Sequence, residues 1–140
     1  MQCSEIMTRD PKCCVPTDSV MKAAQLMKSQ DVGPILIVAD KDGRKLTGII
    51  TDRDLTIKII AEARDPITTR LKEVMSDNVV TCKESDEVDQ VLKLMEDNQV
   101  RRIPVVDQDN HLLGIIAQAD VATRLGNPGT TGRVVEQISE

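Results

Sequence analysis

Apolar residues recur along the chain in two stripes with the spacing of an amphipathic helix. Both stripes use positions i, i+3, i+4 and i+7, which lie on one face of an α-helix. They are occupied by Val20, Ala23, Ala24 and Met27 in the first stripe and by Val88, Val91, Leu92 and Met95 in the second. Thr17-Asp18 and Ser85-Asp86 precede the stripes and are typical of helix starts. We predict two helices whose apolar faces pack into a core and line no ligand site.

Behind each predicted helix lie two short apolar runs that are separated by a turn sequence. The first pair comprises residues 35–38 and 46–50 around Lys41-Asp42-Gly43, and the second comprises 103–106 and 112–116 around Gln108-Asp109-Asn110. Short apolar runs bounded by turn residues predict a β-hairpin in each half. Because Pro104 has no N–H to donate to a sheet, we expect it at the start of a strand or on a sheet edge.

Further short elements complete the same unit in each half. We predict entry strands at 12–15 and 79–82 and closing helices at 54–62 and 120–125, the second helix being stopped by Gly126-Asn127-Pro128-Gly129. Each half is then a βαββα unit, and a unit of about 60 residues buries too little surface to be secure alone. We therefore expect an α+β fold in which two such units pack sheet to sheet in a pseudo-two-fold arrangement.

The two halves are copies of one sequence. A shift of 68 residues places Met7 on Met75, Cys14 on Cys82, Asp18 on Asp86, Val32 on Val100 and Val38 on Val106, and a shift of 66 places Gly48 on Gly114 and Asp54 on Asp120. A duplication of this length predicts two similar structural units. We place the first repeat at 1–64, a linker at 65–74, the second repeat at 75–125 and a C-terminal tail at 126–140, where Val134, Val135 and Ile138 indicate a short helix.

Composition and charge narrow the function. The 140 residues carry a net charge of −5, and the chain contains no Phe, Tyr or Trp. Binding to a phosphate backbone or an anionic membrane needs clustered cations, and base stacking needs aromatic rings, so we expect neither a nucleic-acid nor a membrane partner. The N-terminus has no apolar run like that of a signal peptide, and no run is long enough to span a membrane. We expect a cytoplasmic protein.

The cysteines and the one histidine do not have the spacing of a metal site. The chain contains Cys3, Cys13, Cys14, Cys82 and His111, without a Cys-x-x-Cys pair. We expect no bound metal and reduced thiols. The adjacent Cys13 and Cys14 leave a thiol-based redox function as an alternative.

The segment Gly48-Ile49-Ile50-Thr51-Asp52-Arg53-Asp54 carries the candidate chemistry. It predicts a buried strand that runs into a helix, with a hydroxyl and a carboxylate at the helix start, where free N–H groups and the positive end of the helix dipole also lie. Such a corner suits a hydroxyl-rich, anionic small molecule. The alternative is that Thr51 or Asp52 only caps the helix and Asp54 sits in its first turn.

Together these motifs resemble a tandem pair of CBS domains, a Bateman module of the free-standing type. The segments that carry the resemblance are Met7-Thr8-Arg9-Asp10-Pro11, 32–38, 48–55, 75–80, 99–107 and 114–121. The resemblance covers about residues 7–125. It implies regulation by adenine nucleotides or adenosyl compounds, such as AMP, ADP, ATP or S-adenosylmethionine, bound in clefts between the repeats, with no cofactor required.

The resemblance also implies which residues line the two clefts. In such proteins the carboxylate of the Gly-h-h-Thr/Ser-x-x-Asp motif (h apolar) takes the ribose hydroxyls, and strands of the other repeat line the adenine. One cleft would use Thr51, Arg53 and Asp54, facing Val80, Thr81, Val100, Arg101 and Arg102; the other would use Asp120, facing Cys13, Cys14, Val32, Gly33 and Pro34.

The two predicted clefts are unequal. Ala117 and Ala119 replace Thr51 and Arg53 in the second repeat, which removes a hydroxyl and a cation from that cleft. Arg101 and Arg102 face the intact motif, and arginine binds phosphate oxygens in pairs. The alternative for both arginines is a solvated strand edge paired with nearby acids.

No catalytic set is visible in the sequence. It has no Ser/His/Asp or Cys/His arrangement and no phosphate-loop or dinucleotide glycine pattern. We expect a nucleotide-sensing regulatory module, not an enzyme, that signals to an unidentified downstream protein. The alternative from another class is a structural or interaction protein with unoccupied clefts.

The predicted helix 54–62 indicates a homodimer. Leu55 and Ile59 share one face, while Ile57 and Ile60 lie on the far side, and one apolar face is enough to cover the helix's own sheet. The second face would be an exposed patch of the kind that marks an interface. The alternative is that the C-terminal tail of the same chain covers Ile57 and Ile60.

Overall fold

The computed structural model describes residues 1–125, which contain both strands and helices. The strands are β1 (Thr8–Arg9), β2 (Ile35–Val38), β3 (Leu46–Ile50), β4 (Cys82–Lys83), β5 (Arg102–Val106) and β6 (Leu112–Ala117). The helices are α1 (Val20–Gln30), α2 (Asp52–Asp54, continued by a π-helix over Leu55–Ile60), α3 (Val88–Asn98) and α4 (Gln118–Leu125). Short 3-10 helices lie at Cys3–Glu5 and Leu71–Glu73. The mixed α/β fold class, α1, α3 and both hairpins are confirmed. The predicted tail at 126–140, with Val134, Val135 and Ile138, lies outside the described residues.

The chain divides into two compact units. One is Lys12–Val79, which we call the contiguous unit; the other joins Met1–Pro11 to the chain from Val80 onward, and we call it the composite unit. The repeat boundaries in the sequence assign residues 1–11 to the first repeat. In the structure these residues complete the sheet of the second repeat, because β1 pairs with β6 through Thr8–Ile115 and Arg9–Gly114.

The contiguous unit is a hairpin covered by α1. β2 and β3 are antiparallel, with Ile35 opposite Ile50. Isolated bridges extend the pair on both sides, from Cys14 to Ile37 and from Ser76 to Ile49. The core of this unit combines the apolar side of α1 with the hairpin and the closing helix: Cys14, Val20, Ala23, Met27, Ile35, Ile37, Ile50, Ile59, Leu71 and Val74.

The composite unit has the same strand arrangement with longer ladders. Its sheet has the order β1-β6-β5-β4, and β4 runs parallel to β5. The apolar stripe of α3 packs on this sheet, as the spacing predicts, with Val91 and Met95 fully buried. The 3-10 helix Cys3–Glu5 is tied to the second repeat by backbone bonds from Cys3 N to Asp86 O (2.9 Å) and from Ser4 N to Glu84 O (3.0 Å).

Pro104 lies in the middle of β5 and not at its start, but it occupies an edge position, the other location that we expected. The β4 ladder reaches only Val105 and Val106. Pro104 therefore pairs with Ile115 of β6 on one side and with no β4 residue on the other. Its missing N–H breaks no ladder between β4 and β5, which is why proline is accepted here.

Gly48 in β3 and Gly114 in β6 each allow another segment of the same unit to pack closely against the strand. A Cβ at Gly48 would stand 2.9 Å from Ser76 O, and one at Gly114 would stand 2.7 Å from Thr8 O. Real side chains do not tolerate such distances to backbone atoms. The glycine that opens each repeated motif is thus required by strand packing in both units.

The first closing helix differs from the predicted α-helix at 54–62. It begins at Asp52, and from Leu55 it is wound as a π-helix, with Ala61 N bonded to Thr56 O and Arg64 N to Ile59 O. The prediction assumed the 3.6 residues per turn of an α-helix, and the wider π-helical turn departs from this value. The two faces persist, since Ile59 is 3% exposed while Ile57 and Ile60 are 46% and 73% exposed. Within residues 1–125 no helix has the length and apolar character needed to cross a membrane.

Candidate functional site

Thr51 and Asp54 form a reciprocal cap at the start of α2. The Thr51 hydroxyl accepts from Asp54 N at 3.2 Å, and the Asp54 carboxylate accepts from Thr51 N through Oδ2 at 2.9 Å. This arrangement is a capping box, which satisfies two backbone donors that the helix cannot bond itself. The hydroxyl and the carboxylate of the motif are therefore close together. Their contacts are those of the alternative in which Thr51 caps the helix and Asp54 lies in its first turn.

Capping leaves Asp54 with further acceptor capacity. Its second oxygen, Oδ1, lies 3.6 Å from Lys58 Nζ, and the same ammonium donates to Val74 O at 2.9 Å. A carboxylate offers about four acceptor sites. The Asp54 side chain is 23% exposed. Oδ1 can thus accept further hydrogen bonds from a ligand hydroxyl while Oδ2 holds the helix.

The segment Val32-Gly33-Pro34 lies against the same helix start within the contiguous unit. Asp31 ends α1 in a left-handed conformation (φ 53°), and Val32 N bonds Met27 O at 3.1 Å. Gly33 O then accepts from Asp52 N at 3.1 Å, and a Cβ on Gly33 would stand 3.2 Å from Asp52 Oδ1. From the sequence, Asp52 was expected only as a possible helix cap and not as a site residue. The only available signal was its position one residue behind the motif threonine.

The composite unit repeats this arrangement without the hydroxyl. Asp120 Oδ2 accepts from Ala117 N, but at 3.4 Å, compared with 2.9 Å at Thr51. Ala117 has no side-chain oxygen to return a bond to Asp120 N. Asp120 is therefore held by one weak bond where Asp54 is held in a reciprocal pair.

Arg101 and Arg102 lie beside the start of α4 in the composite unit. Gln118 N donates to Arg101 O at 2.8 Å, and Arg102 is paired with Ala117 across β5 and β6. Gln99 ends α3 with φ 55°, as Asp31 ends α1, and Val100 N bonds Met95 O at 3.0 Å. The Arg101 side chain is exposed and that of Arg102 is half-buried. Their backbone placement matches that of Gly33 and Pro34 in the contiguous unit.

Gln118 is a functional candidate that the sequence analysis missed. The residue is only 8% exposed, and its Nε2 is buried without a hydrogen-bond partner in the described part of the chain. A buried donor left unsatisfied costs free energy, so each such group calls for an explanation. A ligand acceptor near the start of α4 would satisfy it. Gln118 could not be predicted from the sequence, because the motif is defined by its Thr or Ser and its Asp and does not include a glutamine.

The remaining residues predicted to line adenine are distributed over both units. Val80, Thr81 and Val100 are half-buried in the composite unit, where Val80 and Val100 pack against its core. Cys13 is half-buried in the contiguous unit, with Arg44 Nη2 at 3.5 Å from its sulfur. Within each unit the structure brings the helix start and the preceding loop together. The grouping of residues from the two units into clefts stays a prediction.

Cys14 offers no polar group to a ligand. Its side chain is fully buried in the core, where burial raises the thiol pKa to about 11. Its N–H bonds Leu36 O at 3.1 Å, and its carbonyl accepts from Val38 N at 2.9 Å. Burial also raises the pKa of Cys13. Neither thiol is therefore activated as a nucleophile, which disfavours the thiol-based alternative.

Asp107, Asp109 and His111 bring ligand-type atoms within 4.8 Å of one another in the β5–β6 turn. Asp107 Oδ1 accepts from the N–H groups of Asp109 and His111, both at 2.9 Å, and Oδ2 lies 3.2 Å from His111 Nδ1. These backbone bonds are the main cause that lowers the pKa of Asp107. The contacts are those of a hairpin turn and account for the cluster without an ion.

Comparison with known proteins places this geometry in a family. The family model described as "CBS domain" matches residues 3–61 and 71–127. The chain is 38% identical to YlbB of Bacillus subtilis, over 97% of this chain and 90% of YlbB. It is also 36% identical to MK0525 of Methanopyrus kandleri. This match covers 84% of the present chain but only 59% of MK0525, which is longer.

Solved structures agree with the sequence matches. Hypoxic Response Protein I, described with two coordinated zinc ions, has a TM-score of 0.78 at 31% identity and covers 89% of this chain and 98% of its own. The CBS domain pair of protein MJ0100, in complex with 5-methylthioadenosine and S-adenosylmethionine, has a TM-score of 0.71 at 29% identity and covers 90% and 96%. With two matched repeats and these neighbours, the chain belongs to the CBS-domain family as a tandem pair.

Proposed function

We propose that this protein is a regulatory module that binds an adenine nucleotide or another adenosyl compound. The observation that carries the proposal is the repeated helix start, where Asp54 and Asp120 occupy corresponding positions in the two units of a CBS pair. The adenosyl ligands of the related MJ0100 pair support the ligand class. The raised pKa of Cys13 and Cys14 argues against thiol chemistry at these two residues and so supports regulation.

The site residues divide into three roles. Oδ1 of Asp54 accepts the ribose hydroxyls while Oδ2 keeps the helix capped, and Asp120 does the same more weakly in the other site. Apolar contacts to the base come from Val80, Val100 and Val32, with Thr81, Gly33 and Pro34 beside them. Because no aromatic ring is available, these contacts are aliphatic.

Phosphate groups are bound by arginine. Arg53 lies in α2, Arg101 and Arg102 lie beside the start of α4, and a guanidinium can hold two phosphate oxygens at once. The second repeat has Ala119 where the first has Arg53. Both helix starts therefore have cations for phosphate, and the Asp54 site ranks first because its carboxylate is held in a reciprocal cap.

Calorimetric titration with AMP, ADP, ATP, S-adenosylmethionine and NAD tests the proposal. For the tightest ligand, Asp54→Ala should weaken binding by about 2 kcal/mol, the typical value of hydrogen bonds to a charged group. Asp120→Ala should weaken it less. Asp54→Asn is the matched variant, because its amide oxygen can still accept from Thr51 N while the charge is lost. Unfolding curves of all three variants separate lost capping from lost binding.

Two results would contradict the proposal at different levels. If none of the five compounds binds, the adenosyl class is wrong and the module is structural. If Asp120→Ala costs more affinity than Asp54→Ala, the ligand class stands but the ranking of the two sites is wrong.

We also infer a homodimer that signals to a downstream protein. Ile57, Ile60 and Ile67 are the large apolar side chains most exposed within the contiguous unit. A related CBS-CP12 protein from cyanobacteria, 30% identical with a TM-score of 0.68, is described as hexameric, which shows that this fold can assemble.

A further inference from the structure

The contiguous unit has a pocket on the side where α1, the entry segment and the hairpin turn meet. Its volume is about 540 Å³, within the range of small-molecule sites. The entry segment, the outer side of α1 and the hairpin all contribute lining residues, namely Lys12, Cys13, Lys22, Gln25, Leu26, Ser29, Val38, Lys41 and Arg44. Cys13 is the only residue it shares with the proposed adenosyl sites.

The lining of this pocket is strongly basic. Four of the nine residues are cations, and none is Asp or Glu. The whole chain, by contrast, has a net charge of −5. A concave surface with cations of one sign concentrates the field and attracts anions more strongly than the same charges spread over a flat surface. The charge of the pocket is therefore local and opposite to that of the molecule.

Two acidic residues close in sequence to these cations accept backbone hydrogen bonds. Asp18 accepts from Val15 N at 2.9 Å and contacts Lys22 Nζ at 3.3 Å. Asp40 accepts from Gly43 N inside the hairpin turn. Asp18 thus offsets part of the Lys22 charge. Lys12 of the entry segment and the hairpin-turn residues Lys41 and Arg44 come from two segments that are separate in sequence and line the same pocket.

The duplicated half of the molecule does not repeat this pocket. The positions that correspond to Lys12, Lys22, Lys41 and Arg44 are Val80, Gln90, Asp109 and Asn110. The hollow beside the β5–β6 turn, about 440 Å³, is lined by Glu84, Asp107 and Asp109 with only one cation, Lys83. Since the two units share one fold, the fold alone does not produce the basic lining. The four cations are a property of this unit's sequence.

We propose that the pocket is a second binding site, which takes a small phosphorylated molecule. Lys12, Lys41 and Arg44 hold the phosphate oxygens, with Lys22 at the edge beside Asp18. Ser29 and Gln25 supply neutral hydrogen-bonding groups, and Leu26 and Val38 form an apolar wall for the rest of the ligand. Lysine and arginine together suit phosphate, because one offers a compact charge and the other a planar fork.

Pyrophosphate binding, measured by calorimetry at low ionic strength, tests this site. Lys12→Glu/Lys41→Glu should weaken pyrophosphate binding by at least about tenfold. Lys28→Glu/Lys72→Glu changes the net charge equally at exposed positions outside the pocket and should change affinity less than about twofold. If the first double variant does not fold, Lys12→Gln/Lys41→Gln removes the cations without reversing them. Amide NMR shifts should appear at Ser29 and along the 41–44 turn.

Three outcomes would overturn the inference: no pyrophosphate binding by the unaltered protein, equal loss in the pocket and control variants, or NMR shifts confined to residues outside the pocket. Competition with adenosine, which has no phosphate, separates this site from the proposed adenosyl sites. Displacement of pyrophosphate by adenosine would show that the two are one site. If adenosyl compounds do not bind but pyrophosphate does, the proposed function is wrong while the inference of this second site is supported.

Discussion

Thr51 and Ala117 occupy corresponding positions, and their side chains decide how firmly each helix start is held. The Thr51 hydroxyl accepts from Asp54 N, whereas Ala117 leaves the corresponding N–H of Asp120 without that partner. The capping bond that remains is long, at 3.4 Å. At the residue scale, one missing oxygen therefore makes the two candidate sites unequal in stability as well as in chemistry.

Exchanging these two residues gives opposite effects on stability. Thr51→Ala should lower the free energy of unfolding by about 1 kcal/mol, the usual cost of losing an N-cap side chain. Ala117→Thr should raise it by a smaller amount, since the half-buried position must accept two more heavy atoms. Urea unfolding monitored by circular dichroism measures both. A loss of stability in Ala117→Thr would show that the composite unit has no room for the hydroxyl.

Some of the candidate site residues could be predicted from the sequence, and others could not. The motif predicts Thr51, Asp54 and Asp120 at helix starts because a hydroxyl, a carboxylate and a strand boundary follow in order. Asp52 and Gln118 could not be predicted in the same way. Their roles depend on the backbone of residues 33 and 101, which α1 and α3 deliver from earlier in the chain.

At the scale of elements, each unit is closed by a short segment that docks against the glycine of its third strand. β1 has two exposed residues and no apolar pattern, so neither length nor periodicity predicts it. The helices and hairpins were predictable because burial imposes their periodicity. The segments that dock, around Thr8 and Ser76, are held by pairing with strands that are distant in sequence. In the sequence, only Gly114 and Gly48 indicate this pairing.

Gly114→Ala tests this docking. The added Cβ would stand 2.7 Å from Thr8 O and 3.0 Å from Met7 Sδ, so β1 must shift. We expect a loss of about 1–3 kcal/mol in the free energy of unfolding, as for overpacked cores. Hydrogen exchange should show weaker protection where β1 pairs with β6.

Gly43→Ala is the matched control, since its Cβ would meet only the Asp40 side chain at 3.3 Å. An equal loss of stability in both variants would mean that close packing against β1 is not what Gly114 provides.

At the scale of the whole molecule, the exposed isoleucines of the first closing helix set the expected assembly. The π-helix buries Ile59 and leaves Ile57 and Ile60 outward. Apolar groups grouped on one helix face usually mark an interface. The alternative, in which the C-terminal tail covers them, concerns residues outside the described range.

Light scattering behind a sizing column should give the mass of a dimer at micromolar concentration. Ile57→Glu and Ile60→Glu should each shift the mass to that of a monomer without changing the circular dichroism spectrum. Glu62→Lys, an equally exposed change on the same segment, is the control. A monomer mass for the unaltered protein would contradict the dimer.

The composite unit also determines the order in which the two units can fold during synthesis. On a ribosome that adds about 5–20 residues per second, β1 emerges first and then waits for β6, about 100 residues later. The contiguous unit needs only residues 12–79 and can close meanwhile. During that interval of seconds Cys3, Ile6 and Met7, which end up buried, have no sheet to cover them. The nascent chain therefore exposes the apolar residues of segment 3–7, which a chaperone can bind until synthesis of the second repeat is complete.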